Sequence, residues 1–173
     1  FCLPLILLGA QWLCVIATSA DPKKAAHPEK ILQMRIDPTI GYKDYNGWEM
    51  AEKLGLEDVE TIGDEKICRI GSLSCEMDAL DFAKLVKDKL SSGNGERSAA
   101  VAICRGGKKV KRVAVLGGSG GDDIKVAAAA GADTFVTGEL KYHERLSASD
   151  FGMNLICAGH FFTEYPVCAF LEK

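Results

Sequence analysis

The feature that most constrains the fold is a unit that recurs three times toward the end of the chain: a short apolar run, a turn containing glycine, then a segment at helical spacing. "RVAVLGGSGG" leads into "DDIKVAAAAGA", "DTFVTGE" into "LKYHERLSASDFG", and "MNLICAGH" into "FFTEYPVCAFLEK". Strands alternating with helices at this spacing predict an α/β layered domain, with a largely parallel sheet at its centre and helices packed on it. Ligand sites in such sheets lie just past the carboxyl ends of the strands. The stretches "GGSGGDD", "TGELKYH" and "AGHFFTE" are therefore expected to crowd one rim.

The earlier part supplies the flanking layers. "NGWEMAEKLGL" places Trp48, Met50, Ala51 and Leu54 at helical spacing, with Gly55 where a helix C-terminal glycine belongs. "EKICRIGSL" alternates like a strand. "DALDFAKLVKDKL" carries Leu80, Phe82, Ala83, Leu85, Val86 and Leu90 on one broad helical stripe. "SSGNGE" reads as a flexible joint before "AAVAIC", and Gly106-Gly107 then turns the chain into a strand buried by Val113 to Leu116. Upstream, Pro22, Pro28 and Pro38 punctuate a polar stretch that reads as loop, with one helical turn at "PEKILQM". The first twenty residues, "FCLPLILLGAQWLCVIATSA", are apolar for almost their whole length and end in a Thr-Ser-Ala of the kind a signal peptidase accepts, so an exported or membrane segment is the alternative reading. They lack the basic flank of a secretory signal, and Pro4, Gly9 and Gln11 interrupt them as a membrane span. They are read here as buried strands, or a strand and a short helix, of a chain whose true N-terminus is missing.

Composition narrows the function classes. With 21 basic and 24 acidic residues, the basic ones scattered, the chain is a poor partner for nucleic acid. Seven cysteines form an odd set with no Cys-x-x-Cys pair. That pattern fits reduced thiols in a cytoplasmic protein, rather than a disulfide framework or a zinc knuckle. Cys14, Cys104 and Cys157 lie in apolar runs, where a free cysteine behaves as a small hydrophobe.

Three stretches carry possible chemistry. "GGSGG" could cradle a phosphate at a helix N-terminus. It lacks the spacing of either common nucleotide fingerprint, and Asp122 and Asp123 put negative charge where phosphate would sit, so a tight turn capped by Asp is expected. Glu139 and His143 stand four apart, which on a helix gives one face. Spacing alone favours an exposed pair that hydrogen-bonds or caps the helix. His160 and Glu164 repeat that spacing at a strand end, behind the bare Gly159. Here a metal site and the plain start of the last helix are both open. Imidazole with carboxylate suits zinc, manganese or iron, and a helix N-terminus favours the neutral, metal-binding imidazole. Glu164 then offsets the repulsion between dipole and cation. Two ligands do not complete a site.

The stretch Lys111 to Val167 resembles the C-terminal half of the Nif-three family, the NGG-interacting-factor-three-like proteins also called GTP cyclohydrolase I type II homologs. The resemblance rests on Gly-Gly-Ser-Gly, Thr-Gly-Glu-Leu-Lys-Tyr-His, Ala-Gly-His and Thr-Glu in that order, and extends back to about Asp37. It implies a dinuclear metal site between two similar α/β lobes, homo-hexamers, and metal-ligand roles for His160, Glu164 and Asp37. The family's early histidine motifs have no counterpart: Cys2, Leu3 and Gln33 stand where histidines belong, and His27 is spaced too far from Asp37. The expected organisation is therefore a truncated or degraded N-terminal lobe segment at 1–36 and a C-terminal α/β domain at 37–173. Two functions follow. One is a metal-binding, oligomer-forming protein with a partial divalent-metal site (zinc, manganese or iron), a small-molecule ligand, and little or no turnover. The other is a metal-dependent hydrolase acting on GTP or a phosphoester, with Glu139 or His143 as the catalytic groups that move protons. Neither function involves nucleic acid or a membrane.

Overall fold

A chain segment that is apolar on successive residues has to be covered on both sides, and "RVAVLGG" is such a segment. In the computed structural model, which describes residues 42–92 and 97–166, it forms the middle of β4 (Val110–Ser119). Val113 and Val115 point into one apolar cluster, Ala114 and Leu116 into another. Each face of the sheet therefore has its own core.

The first core lies beneath α1 (Tyr42–Leu54) and α2 (Ala79–Ser91). Met50, Ala51 and Leu54 from α1 meet Phe82, Val86 and Leu90 from α2. Gly55, at φ 71°, ends α1 with Leu56 N donating to Ala51 O. At the start of α2 the Asp78 carboxylate accepts from Leu80 N at 2.8 Å. Two residues of the expected stripes face outward instead: Trp48 and Leu80 are each 45% exposed. The short α5 (His160–Glu164) lies on the same face, where Phe162 packs against this cluster. The second core lies beneath α3 (Ile124–Ala129) and α4 (Tyr142–Phe151). Ile124, Ala127 and Ala148 cover Phe135, Leu155 and Cys157 there.

The six strands run in the order β1-β2-β4-β5-β6-β3. The expected parallel arrangement holds only at the centre, where β4 pairs with β5 (Thr134–Glu139) and β5 with β6 (Asn154–Cys157). Those are the strands of the recurring strand–helix unit, and their helices supply the crossovers that parallel pairing needs. On one side β2 (Cys68–Met77) and β1 (Glu57–Ile62) add antiparallel. β1 carries no legible strand pattern, because "EDVETI" is a mostly exposed edge. On the other side β3 (Ala102–Cys104) pairs antiparallel with β6, so Gly106-Gly107 carries the chain away from β3 rather than closing a hairpin onto β4. The Asn154 side chain holds that turn, accepting from Gly106 N at 3.0 Å and donating to Lys108 O at 3.0 Å.

Asp37, the 36/37 boundary, the apolar N-terminal segment and "PEKILQM" lie outside the described residues, as do residues 93–96 of the glycine joint. Among the described residues no helix is long and apolar enough to cross a membrane.

Cys68, at the start of β2, is fully buried, and its thiol is pushed up to about 12, first by burial and then by the Asp123 carboxylate. A folded-state value above the unfolded one leaves the fold fully stabilised below the unfolded value of 9.0. As pH rises from there toward 12, only the unfolded chain sheds this proton. Urea unfolding between pH 9 and 10.5 should lose roughly 1 kcal/mol per pH unit to this group, and Cys68→Ala should flatten that slope. An unchanged slope in the variant would refute the assignment.

Candidate functional site

β4, β5 and β6 end at one rim, and what they carry there is mostly glycine. Gly118 at φ 81° and Gly159 at φ 82° hold backbone conformations that side chains disfavour. A Cβ on Gly138 would stand 2.7 Å from both Gly118 O and Thr163 Oγ1. Bare backbone at these points lets α5 settle onto the ends of β4 and β5. Thr163, fully buried, accepts from Gly118 N at 3.2 Å and donates back to Gly159 O at 3.0 Å. Thr137 donates to Gly118 O at 2.9 Å, and Gly159 N donates to Gly138 O at 2.9 Å.

This seating fixes His160, the first residue of α5. Its Nε2 lies 2.9 Å from Glu139 Oε2, at the end of β5, and its Nδ1 lies 3.2 Å from Glu164 Oε1, one turn along the helix. Three of the residues singled out from the sequence thus meet at one point. Their side chains are about half exposed, 46% for His160, 60% for Glu139 and 52% for Glu164. A neutral imidazole has one N–H to give, so it can donate to only one of its two carboxylate neighbours. The other nitrogen then faces a carboxylate as lone pair against lone pair, an arrangement that either a second ring proton or a bound cation would relieve.

His143 is not part of this group. Its ring is 75% exposed and its Nε2 lies 3.9 Å from Glu144 Oε1. The four-residue spacing from Glu139 does not place the two on one helix face, because Glu139 ends a strand and α4 begins only at Tyr142. Two residues between them are extended or turning, and Glu139 faces His160 instead. The glycine run does form the strand-to-helix turn, but without the expected aspartate cap: neither the single 3-10 turn at Gly121–Asp123 nor α3 has a side-chain cap bond. Gly120 is bare because a Cβ there would lie 2.6 Å from Thr137 Oγ1. Gly121 is bare because one there would meet the Glu144 carboxylate. Glu144 in turn accepts from Lys141 N at 2.6 Å. Thr137, Thr163 and Glu144 are the supporting residues that pattern reading missed. The one available signal was hydroxyl and carboxylate side chains flanking an unusual density of glycine.

One nitrogen and two carboxylates are the donor types of zinc, manganese or iron sites. As they stand the three groups bond to one another rather than enclosing a shared position. Among the described residues no set of three or more His, Cys, Asp and Glu side chains is arranged to hold a metal ion. The donor chemistry fits a divalent ion, and the coordination sphere needs further ligands and a small rotation of exposed side chains.

The family model for Duf34/NIF3 (NGG1p interacting factor 3) matches residues 43–173. A protein of Deinococcus radiodurans named GTP cyclohydrolase 1 type 2 homolog is 36% identical over 168 residues, covering 93% of this chain and 58% of the relative. A Bacillus subtilis protein of the same name is 40% identical over 102 residues, covering 59% of this chain and 26% of the relative. Among solved structures, protein ybgI, described as of unknown function, superposes with a TM-score of 0.60 at 28% identity, over 73% of this chain and 50% of that one. The chain thus spans between a quarter and three fifths of the length of these curated relatives.

The glycines offer a direct check of the rim. A Cβ added at Gly118 would sit 2.7 Å from Glu164 Oε1, whereas Gly107, at a similar φ of 88°, has nothing within 4 Å. Gly107→Ala should cost the backbone term alone, about 1–2 kcal/mol. Gly118→Ala should cost about the same, because the group it meets is the end of the half-exposed Glu164 side chain, which can swing aside, whereas Gly138→Ala, whose Cβ would meet the Gly118 backbone oxygen at 2.7 Å, should cost measurably more by urea unfolding. A cost for Gly138→Ala no greater than that for Gly107→Ala would mean that the ends of β4 and β5 do not approach as closely as described.

Proposed function

We propose that this chain, which belongs to the Duf34/NIF3 family, is a divalent-metal-binding protein whose site in this chain is partial. One observation carries the reading: a single imidazole held between two carboxylates at the carboxyl rim of the sheet, where open α/β folds bind their ligands. His160 and Glu164 are the metal ligands within the described residues, and Asp37 is the third. Glu139 holds the Nε2 side of the ring and so sets which nitrogen faces the ion. Zinc, manganese or iron suits these donors; when bound, the ion would act as a Lewis acid toward an oxygen of a small-molecule ligand. His143, exposed and turned to Glu144, has no part in holding it. The reading further takes the protein as a cytoplasmic homo-oligomer with little turnover of its own.

The second reading, a metal-dependent hydrolase, is favoured by the name its relatives carry, GTP cyclohydrolase 1 type 2 homolog. It needs a proton-transfer group at the rim, and Glu139 alone of the two candidates is in reach of the site.

Metal analysis separates the readings. The purified chain, loaded with zinc, manganese or iron and dialysed, should retain about one ion or less, since firm binding takes three or more ligands. His160→Ala and Glu164→Ala should retain almost none, with far-UV circular dichroism unchanged. Hydrolysis of GTP and of a generic phosphoester should be weak or absent. Two firmly held ions per chain, with turnover abolished in both variants, would overturn the partial-site reading and establish the hydrolase.

A further inference from the structure

Away from that rim, two cysteines come together at the β3 edge of the sheet. In the β3–β6 ladder Ala102 stands opposite Cys157 and Cys104 opposite Leu155. Side chains alternate along a strand, so Cys104 and Ala102 share a face, and Cys157 shares it with Ala102 across the ladder. Packing agrees: Cys157 belongs to the apolar cluster beneath α3 and α4, and Cys104 packs against that same cluster. The two thiols are diagonal neighbours, and both are free. They also sense each other electrically, since Cys104 is among the groups that raise the Cys157 thiol, after burial.

The diagonal spacing decides what such a pair can do. Diagonal residues in an antiparallel ladder have Cα atoms roughly 7–8 Å apart, beyond the range of about 4.4–6.8 Å that a disulfide spans. A soft metal ion needs more room. With metal–sulfur bonds of about 2.3 Å, two thiolates on one ion can stand up to about 4.6 Å apart, a gap that diagonal side chains reach without moving the strands. We propose that Cys104 and Cys157 form a two-thiolate site for a soft monovalent cation of the copper(I) type.

Thiolates select soft cations over zinc's harder competitors. Zinc itself asks for four ligands, and among the described residues two thiols meet at this edge. Binding releases both thiol protons to solvent and involves no electron transfer. Arg145, which favours the thiolate form of Cys157, helps that release. Access is from the edge: β3 is only three residues long, and Cys104 is half-buried while Cys157 is buried. The site shares no ligand with Glu139, His160 and Glu164, so it stands whether or not they bind a divalent ion.

The test is anaerobic competition for copper(I) supplied as its bathocuproine disulfonate complex, with the reduced 173-residue chain. The other five cysteines, Cys2, Cys14, Cys68, Cys75 and Cys168, set the background, so the readout is the difference between parent and variants. Cys104→Ser and Cys157→Ser should each weaken the tightest equivalent on the order of a hundredfold, the advantage of two linked contacts over one; Cys75→Ser, at an exposed cysteine, should not. Cys104→Ser sits in the short edge strand and is the variant expected to keep its fold, checked by circular dichroism. As a second readout on the unaltered chain, copper(I) should protect Cys104 from alkylation in peptide mapping. Uptake that is the same in the parent and both variants, or no protection of Cys104, would overturn the proposal. So would ready formation of a Cys104–Cys157 disulfide in air, since it would place the sulfurs at bonding distance.

Discussion

Everything at the carboxyl rim of the sheet depends on how closely a five-residue helix can approach the ends of two strands. Thr163 is the point of contact: its hydroxyl takes the Gly118 N–H and bonds back to the start of its own helix. A buried hydroxyl must be satisfied or it costs on the order of 1–3 kcal/mol, and here satisfying it also ties α5 to β4. The approach depends on Gly138, where a Cβ would stand 2.7 Å from both Gly118 O and Thr163 Oγ1, and on the φ of 81° at Gly118, which a side chain disfavours. Glycine in a strand ordinarily weakens it. At these two positions the loss is offset by contacts that no larger residue would allow.

The position of His160 is a consequence of that contact. A helix anchored through its fourth residue presents its first and fifth on one side, and β5 ends with Glu139 at the same level. Imidazole and carboxylates therefore meet without help from burial, and they stay about half exposed. The core beneath is indifferent to them. Val136 and Ile156 are fully buried immediately below the rim, in an apolar cluster that reaches back to α1 and α2. The scaffold is thus made rigid by one set of residues and given its chemistry by another, the usual division in folds of this kind.

Much of this was legible in the sequence because the signals were local. Apolar runs followed by helical spacing gave the three parallel strands and their crossovers, and the four-residue spacing behind Gly159 singled out His160 and Glu164. What was hidden depended on distant partners. β1 pairs through its backbone at an edge, so "EDVETI" needs no apolar alternation. The turn at Gly106-Gly107 looks like a hairpin until Asn154, 48 residues on, is seen to hold it. Glu139 and His143 have helical spacing only on paper, since a strand end lies between them. The Asp122-Asp123 pair has cap chemistry, but the chain enters α3 through a 3-10 turn, and neither element's start carries a side-chain cap bond. In each case a local pattern was overridden by where the backbone had already been placed.

The exposure of the three rim groups also bears on what a bound ion could be for. Two carboxylates on either side of one ring repel each other, but in near-aqueous surroundings that repulsion is under about 1 kcal/mol. The fold does not need a cation to tolerate it. This differs from a structural zinc, whose binding energy is the folding energy of its domain. Here α5 is held by Thr163 and by Phe162 packed against the core, and the Phe161–Tyr165 stack, with ring centroids 5.0 Å apart, stiffens the helix itself. An ion bound at such a site is free to exchange and to be shared with a ligand, because its departure unfolds nothing. If the rim does take an ion, such a position would trade affinity for an accessible coordination site, which suits a functional ion rather than a structural one.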